Sequence, residues 1–172
     1  RNAWLEGLSP KDNREVPPLR YAVVHQLKAD FPDARFFLNG GLDSIDSALE
    51  HSAGLDGVML GRSAYHDPWI LAEVDRRFYG DDTRTLDRAG VVEAMAAYAQ
   101  RCIAEGLALR SIVRHMLGLY HGRPGARAWR RTLSDSTLLA GADTRLLMSA
   151  LHEVEKAGAR AADQPPALAA PG

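Results

Sequence analysis

Residues 34–62 read ARFFLNGGLDSIDSALEHSAGLDGVMLGR, and the order of signals in this stretch decides the fold class. Ala34 to Leu38 is a short apolar, aromatic run stopped by Asn39-Gly40-Gly41, the pattern of a buried strand. Asp43 or Ser44 then caps a helix running through His51, with Ile45, Ala48 and Leu49 turned inward. Gly57-Val58-Met59-Leu60 forms a second strand ending in Gly61-Arg62. Strand, loop, helix, strand and loop in this order predict a parallel βα arrangement with right-handed crossovers.

Outward from this segment the two sides differ. Upstream, an irregular Gly7-to-Pro18 stretch leads into a helix over Leu19–Phe31, with Val23, Val24, Leu27 and Phe31 at helical spacing and Pro32 as its stop. Downstream of Gly80-Asp81-Asp82 the strands cease. Val91, Met95, Tyr98 and Cys102 form one helical stripe; Leu109, Ile112, Val113, Met116 and Leu117 form another, broken by Gly122, with Pro124 opening the next helix. An amphipathic segment over Thr144–Val154 precedes an Ala/Pro/Gly tail. The expected organisation is an α/β part over residues 1–80, a small all-α bundle over 81–156 and a disordered tail over 157–172.

The chain has 172 residues, 46% hydrophobic and 25% charged. That composition is globular and excludes collagenous, disulfide-framework and wholly disordered classes. The length is short of a complete (β/α)₈ barrel, about 250 residues. With Arg1 and not Met in first position, the expectation is a piece of a longer protein. No apolar run approaches the ~20 residues of a spanning helix and no leader is evident, so neither membrane span nor signal peptide is expected. Cys102 is the single cysteine. It lies in a helical apolar stripe, reads as a buried structural thiol, and makes a reducing compartment, the cytoplasm, the expected location. His51, His66, His115, His121 and His152 are isolated, so no metal site is expected. No Gly-x-Ser-x-Gly elbow or Ser/His/Asp set is present.

A net charge of -1 conceals a patch. Residues 1–78 hold nine basic and twelve acidic side chains, whereas Leu107–Arg131 holds six arginines (Arg110, Arg114, Arg123, Arg127, Arg130, Arg131) and no acid. A polyanion responds to the local patch and not to the total. With Ala126, Trp129 and Leu133 on the inner face of a helix begun by Pro124, Arg127, Arg130 and Arg131 project from the other side. This face is either a solvated surface or a phosphate-backbone contact.

The loops after the two strands are the other candidate site. In a parallel barrel such loops gather at one face, and those after the last strands often hold a phosphate on backbone N–H groups. Asn39-Gly40-Gly41 and Gly61-Arg62 suit this role, since glycine lets an oxygen reach the main chain and Arg62 adds a charged fork. Equally, these glycines turn tight corners and Arg62 pairs with a surface acid. Lys11 and Arg14, in the dense SPKDNR loop (residues 9–14), are placed above the same face, with a solvated loop as the alternative.

RNAWLEGLSPKDNREVPPL (1–19), LNGG (38–41), LDGVMLGRSAYHDPWIL (55–71) and RHMLGLYHGRPGARAWRR (114–131) together resemble the C-terminal half of the A-type tRNA-dihydrouridine synthases. The likeness extends from Arg1 to about Leu133. It implies the C-terminal part of a (β/α)₈ TIM barrel followed by a helical tRNA-binding domain. It also implies FMN-dependent, NADPH-driven reduction of the uridine C5=C6 bond at positions 20 and 20a of the tRNA D-loop. By the same resemblance Asn39, Gly40, Gly41, Gly61 and Arg62 bind the FMN phosphate, and Lys11, Arg14, Arg127 and Arg130 contact tRNA. The family's catalytic cysteine has no match in this chain, nor do the Lys and His of its flavin pocket, so no catalytic residue is assigned here. A monomer is expected. Two other readings stay open on the residues alone: another FMN or sugar-phosphate-binding barrel oxidoreductase acting on a small molecule, and a non-enzymatic helical RNA-binding module.

Overall fold

The computed structural model describes residue 4, residues 6–83 and residues 86–163. The chain is α/β and mostly helical. Its elements are a 3-10 turn at Asp12–Arg14, α1 (Tyr21–Asp30), β1 (Phe37–Asn39), α2 (Ile45–Ser52), β2 (Gly57–Met59), α3 (Arg62–His66), a 3-10 turn at Pro68–Glu73, α4 (Val74–Tyr79), α5 (Arg88–Ala104), α6 (Arg110–Val113), α7 (Ala126–Ser134), α8 (Ser136–Leu139) and α9 (Thr144–Ala162). They form two compact units, residues 1–64 and 65–172, divided within α3.

In the first unit β1 and β2 pair in parallel, with Phe37 beside Gly57, Leu38 beside Val58 and Asn39 beside Met59. The crossover between them is α2, whose start is set by Ser44: its hydroxyl accepts the Ser47 N–H at 3.1 Å, satisfying one of the unpaired first-turn donors. Leu38, Leu42, Ile45 and Ala48 are buried together on one side of the strand pair. Asp56 ties the far end: its carboxylate accepts the Phe36 N–H at 2.8 Å and the Lys28 ammonium at 3.0 Å. Lys28 also donates to the carbonyls of Pro32 and Ala34, each at 3.0 Å, so one side chain fastens the end of α1 to the start of β1. The expected inward stripe of α1 is not buried: Val23, Leu27 and Phe31 are exposed, as are Phe37 and Met59 on the strands. Alternation along a strand puts Leu38 on one face and Phe37 on the other, and no described residue of the unit buries that second face.

The second unit has a continuous core of Val92, Ala99 and Cys102 from α5, Leu109 to Tyr120 from α6 and the turns after it, Trp129 and Leu133 from α7, Leu139 from α8, and Leu147, Ala150, Leu151 and Val154 from α9. Tyr98, expected in the α5 stripe, is exposed, because the buried line runs through Val92, Ala99 and Cys102. The helix expected to run up to Gly122 ends at Val113, and residues 115–121 continue as successive turns with i to i+3 bonds. Two contacts explain the break. The indole Nε1–H of buried Trp129 donates to the Met116 carbonyl at 2.9 Å, taking an acceptor that a continuing helix would use. Gly118 packs its Cα face against the His66 carbonyl so closely that a Cβ there would overlap the oxygen. Helix α7 begins at Ala126, two residues later than a start at Pro124 implies, with Gly125 in a left-handed conformation as its N-cap.

Residues 66–69, which the sequence places with the strands, belong to this helical unit. Trp69 packs against its core. Arg88 at the start of α5 stacks over the Trp69 ring at 4.2 Å and donates from Nε to the Leu119 carbonyl at 2.9 Å. Helix α9 likewise extends past Ala157, where the tail was placed, to Ala162; residues 164–172 lie outside the described residues.

Candidate functional site

Parallel pairing brings the two candidate loops together. Because Asn39 lies beside Met59 at the ends of β1 and β2, Gly40-Gly41 and Gly61-Arg62 leave the sheet side by side at its C-terminal edge. Ser63 fastens one loop to the other, its hydroxyl donating to the Leu42 carbonyl at 2.6 Å. Tyr21 braces the first loop from below, donating to the Gly40 carbonyl at 2.7 Å. Gly40 and Gly41 have φ of 117° and 70°, and a Cβ at either would press on Leu19, at Gly41 also on the Tyr21 hydroxyl. Glycine is therefore required here by backbone conformation and by packing at once.

Asn39, Gly41, Gly61 and Arg62 are exposed at this edge. The chemistry they offer is backbone N–H groups without a shielding Cβ, one carboxamide and one guanidinium, a donor set suited to a phosphate. Arg62 also meets a surface acid, as the second reading of the loop has it: its Nη1 lies 3.4 Å from Glu15 Oε1, with both side chains more than half exposed. An exposed pair of this length is weak, and a dianion can displace it. Lys11 and Arg14 belong to the same unit, on the 3-10 turn just before Glu15. Ser9, Asp12 and Asn13 build that turn: Ser9 Oγ donates to Asp12 at 2.6 Å, and Asn13 donates to the Trp4 carbonyl at 2.9 Å and accepts from the Trp4 N–H at 2.6 Å. Lys11 and Arg14 are left exposed, with no ion pair among the described residues.

Arg127 and Arg130 sit in the helical unit, both exposed on α7, opposite Trp129 and Leu133, which are 0% and 1% exposed. With Arg123 and His121 they border a shallow cavity of about 390 Å³. Among the described residues, no carboxylate lies within ion-pair distance of any of the six arginines between Leu107 and Arg131. Tyr120 is buried beneath this region, its ring 4.9 Å from that of Trp129. Burial pushes its phenol up to about 12. Burial, and then the neighbouring Arg123, lower the pKa of Arg88 from its ordinary value.

Cys102 is buried in the helical core. Among the described residues no three His, Cys, Asp or Glu side chains come together as a metal site, and no described helix is long and apolar enough to cross a membrane. Glu15, Tyr21 and Ser63, which shape the loop site, carry no sequence signal: each acts through a partner 19 to 47 residues away.

The sequence profile of the dihydrouridine synthase (Dus) family matches residues 4–155. The chain belongs to the dihydrouridine synthase family. Dihydrouridine synthases similar to it include the tRNA-dihydrouridine(20/20a) synthase of Salmonella typhimurium (strain LT2), 54% identical over 154 residues, covering 90% of this chain and 46% of the relative. The Escherichia coli K12 protein of the same name is 52% identical over 154 residues, 90% of this chain and 45% of its own length. The Synechocystis protein, also so named, is 47% identical over 152 residues, 88% and 46% of the two chains. The chain thus spans a little under half the length of these curated relatives.

Proposed function

We propose that this chain supplies the phosphate end of an FMN site and much of the RNA-binding surface of an A-type tRNA-dihydrouridine synthase, which reduces uridines 20 and 20a of the tRNA D-loop with NADPH as reductant. The observation that carries this reading is the adjacency of two glycine loops at the C-terminal edge of a parallel strand pair, in a chain about half identical to proteins named for that activity. On this reading the strand-bearing part of residues 1–80, the unit that ends at Ala64, belongs to the last βα units of a (β/α)₈ barrel. The bare strand face at Phe37 and Met59 supports this, since parallel sheets are normally covered on both sides. The helical bundle after them is the tRNA-binding domain, and the enzyme is a cytoplasmic monomer.

Within such an enzyme, the N–H groups of Gly40, Gly41 and Gly61 bind the FMN phosphate, and Arg62 turns from Glu15 toward it. When bound and reduced by NADPH, FMN would supply the hydride for C6 of the uridine, and an acid outside this chain would supply the proton for C5. Lys11 and Arg14 hold backbone phosphates in one unit, and Arg127 and Arg130 do so in the other, leaving the target base free to be flipped from its stack. No residue of this chain is assigned as the catalytic acid; Cys102 is enclosed in the helical core.

The test is to purify the intact enzyme, record its flavin spectrum, and assay unmodified tRNA with NADPH. A flavin spectrum and dihydrouridine at position 20 or 20a are expected. In Gly41→Ala, where the added Cβ meets Leu19 and Tyr21, flavin retention should fall at least tenfold. An enzyme that holds flavin but reduces a small molecule and leaves tRNA unmodified would falsify the RNA part of this reading.

A further inference from the structure

Three depressions on the helical unit share their borders. The cavity of about 390 Å³ at Arg123 and Arg127 ends at Arg130 and His121. Those two residues also line a second hollow of about 240 Å³, together with Gly118, Arg114 and Leu117. Arg114 and Leu117 in turn border a third, of about 440 Å³, which reaches Arg110, Ser134 and Ser136. Five arginines therefore mark one line, Arg127–Arg123–Arg130–Arg114–Arg110, and none of them has a carboxylate within ion-pair distance among the described residues. Arg131 belongs to the same acid-free segment but borders none of the three depressions.

We infer that this line is a continuous track for a polynucleotide phosphate backbone, extending RNA contact beyond Arg127 and Arg130 through Arg114 to Arg110. The inference rests on the tRNA reading above and deepens it. A compact phosphate ligand needs one cluster of donors, whereas a row of linked hollows, each with an unpaired guanidinium at its border, matches an anion that repeats along a strand. The middle hollow adds Tyr65, 54% exposed, with its ring edge-on to His115 at 5.8 Å. An exposed ring beside guanidinium groups suits an unpaired base, which stacks on aromatic side chains. That feature favours RNA over an acidic protein surface. His121, which borders two of the hollows, lies 3.9 Å from Asp67, and Asp135 follows Ser134 at the border of the third.

The experiment is anisotropy titration of unmodified tRNA with the full chain across a salt series, comparing Arg127→Ala, Arg110→Ala, Arg114→Ala, Arg114→Lys and Arg131→Ala, with circular dichroism to confirm folding. Arg110→Ala and Arg114→Ala should each weaken binding by roughly 5- to 150-fold and lower the magnitude of the log K against log salt slope by about 0.7 to 0.9. Arg114→Lys, which keeps the charge, should hold the parent's slope, and Arg131→Ala should bind within about twofold of the parent. If the parent binds tRNA and loses affinity in Arg127→Ala, yet is unchanged in Arg110→Ala and Arg114→Ala, the track is overturned and the tRNA reading stands. Equal loss in Arg131→Ala overturns the track in favour of diffuse charge. A parent with no salt-dependent tRNA binding overturns both.

Discussion

In the unit ending at Ala64, the buried apolar side chains among the described residues are five: Pro17, Leu38, Leu42, Ile45 and Ala48. In the helical unit they are sixteen, contiguous across five helices and the turns after α6. The first unit also leaves Val23, Leu27, Phe31, Phe37 and Met59 exposed. The two therefore owe their order to different things. Helical packing is local and closes on itself, whereas a two-stranded parallel sheet has two open edges and two faces to cover. What holds the strand unit is a set of polar fasteners: Lys28 on Asp56 and two carbonyls, Ser63 on Leu42, Tyr21 on Gly40. Each such bond is modest beside the burial that a core supplies.

The sharpest way to break this comparison is to separate the units. Residues 65–163 expressed alone should melt cooperatively with full helical circular dichroism, and residues 6–64 alone should show no cooperative transition. A cooperative melt of the strand unit would show that its polar fasteners suffice. Next in size is Trp129→Ala, which empties the centre of the helical core and should cost about 3–5 kcal/mol in urea unfolding. Gly118→Ala forces a methyl against the His66 carbonyl and should cost about 1–3 kcal/mol, with the change confined to the helical unit in amide exchange. Cys102→Ala removes one small buried group and should cost about 1 kcal/mol and, on the proposed function, leave uridine reduction by the intact protein within a few-fold of the parent.

The smallest effect is in acid. The Phe36 N–H first, and Lys28 second, hold Asp56 below its ordinary value of 3.8. Its contribution is complete above 3.8 and is lost as pH falls through the lower folded-state value. Protection of the Phe36 amide, its exchange rate taken relative to an unstructured peptide at the same pH, should fall in that window in the parent and show no such step in Asp56→Asn.

Much of this arrangement is legible in the sequence because it depends on neighbours. The strand that ends at Asn39, the Ser44 cap and the division of α7 into a Trp129 face and an arginine face follow from period and local hydrogen bonding. The break after Val113 does not, because its causes are Trp129 reaching back 13 residues and the His66 carbonyl arriving from another segment. The exposure of Val23 and Leu27 escapes the same reading: periodicity marks an apolar face but says nothing of what covers it. At the site the glycines and arginines stand out by type, whereas Glu15, Tyr21 and Ser63 are common residues made relevant only by distant partners.

The hydrogen bond from Trp129 to the Met116 carbonyl has a further consequence, for binding thermodynamics. The backbone bearing Arg127 and Arg130 is anchored through a side chain with no solvent exposure, so it is already ordered before any partner arrives. Association with a polyanion then freezes guanidinium rotamers and little main chain, a cost of about 0.5–1.5 kcal/mol per side chain and not that of folding a segment. Complex formation should accordingly be driven by released counterions, with a small heat-capacity change and a favourable entropy that fades as salt is raised.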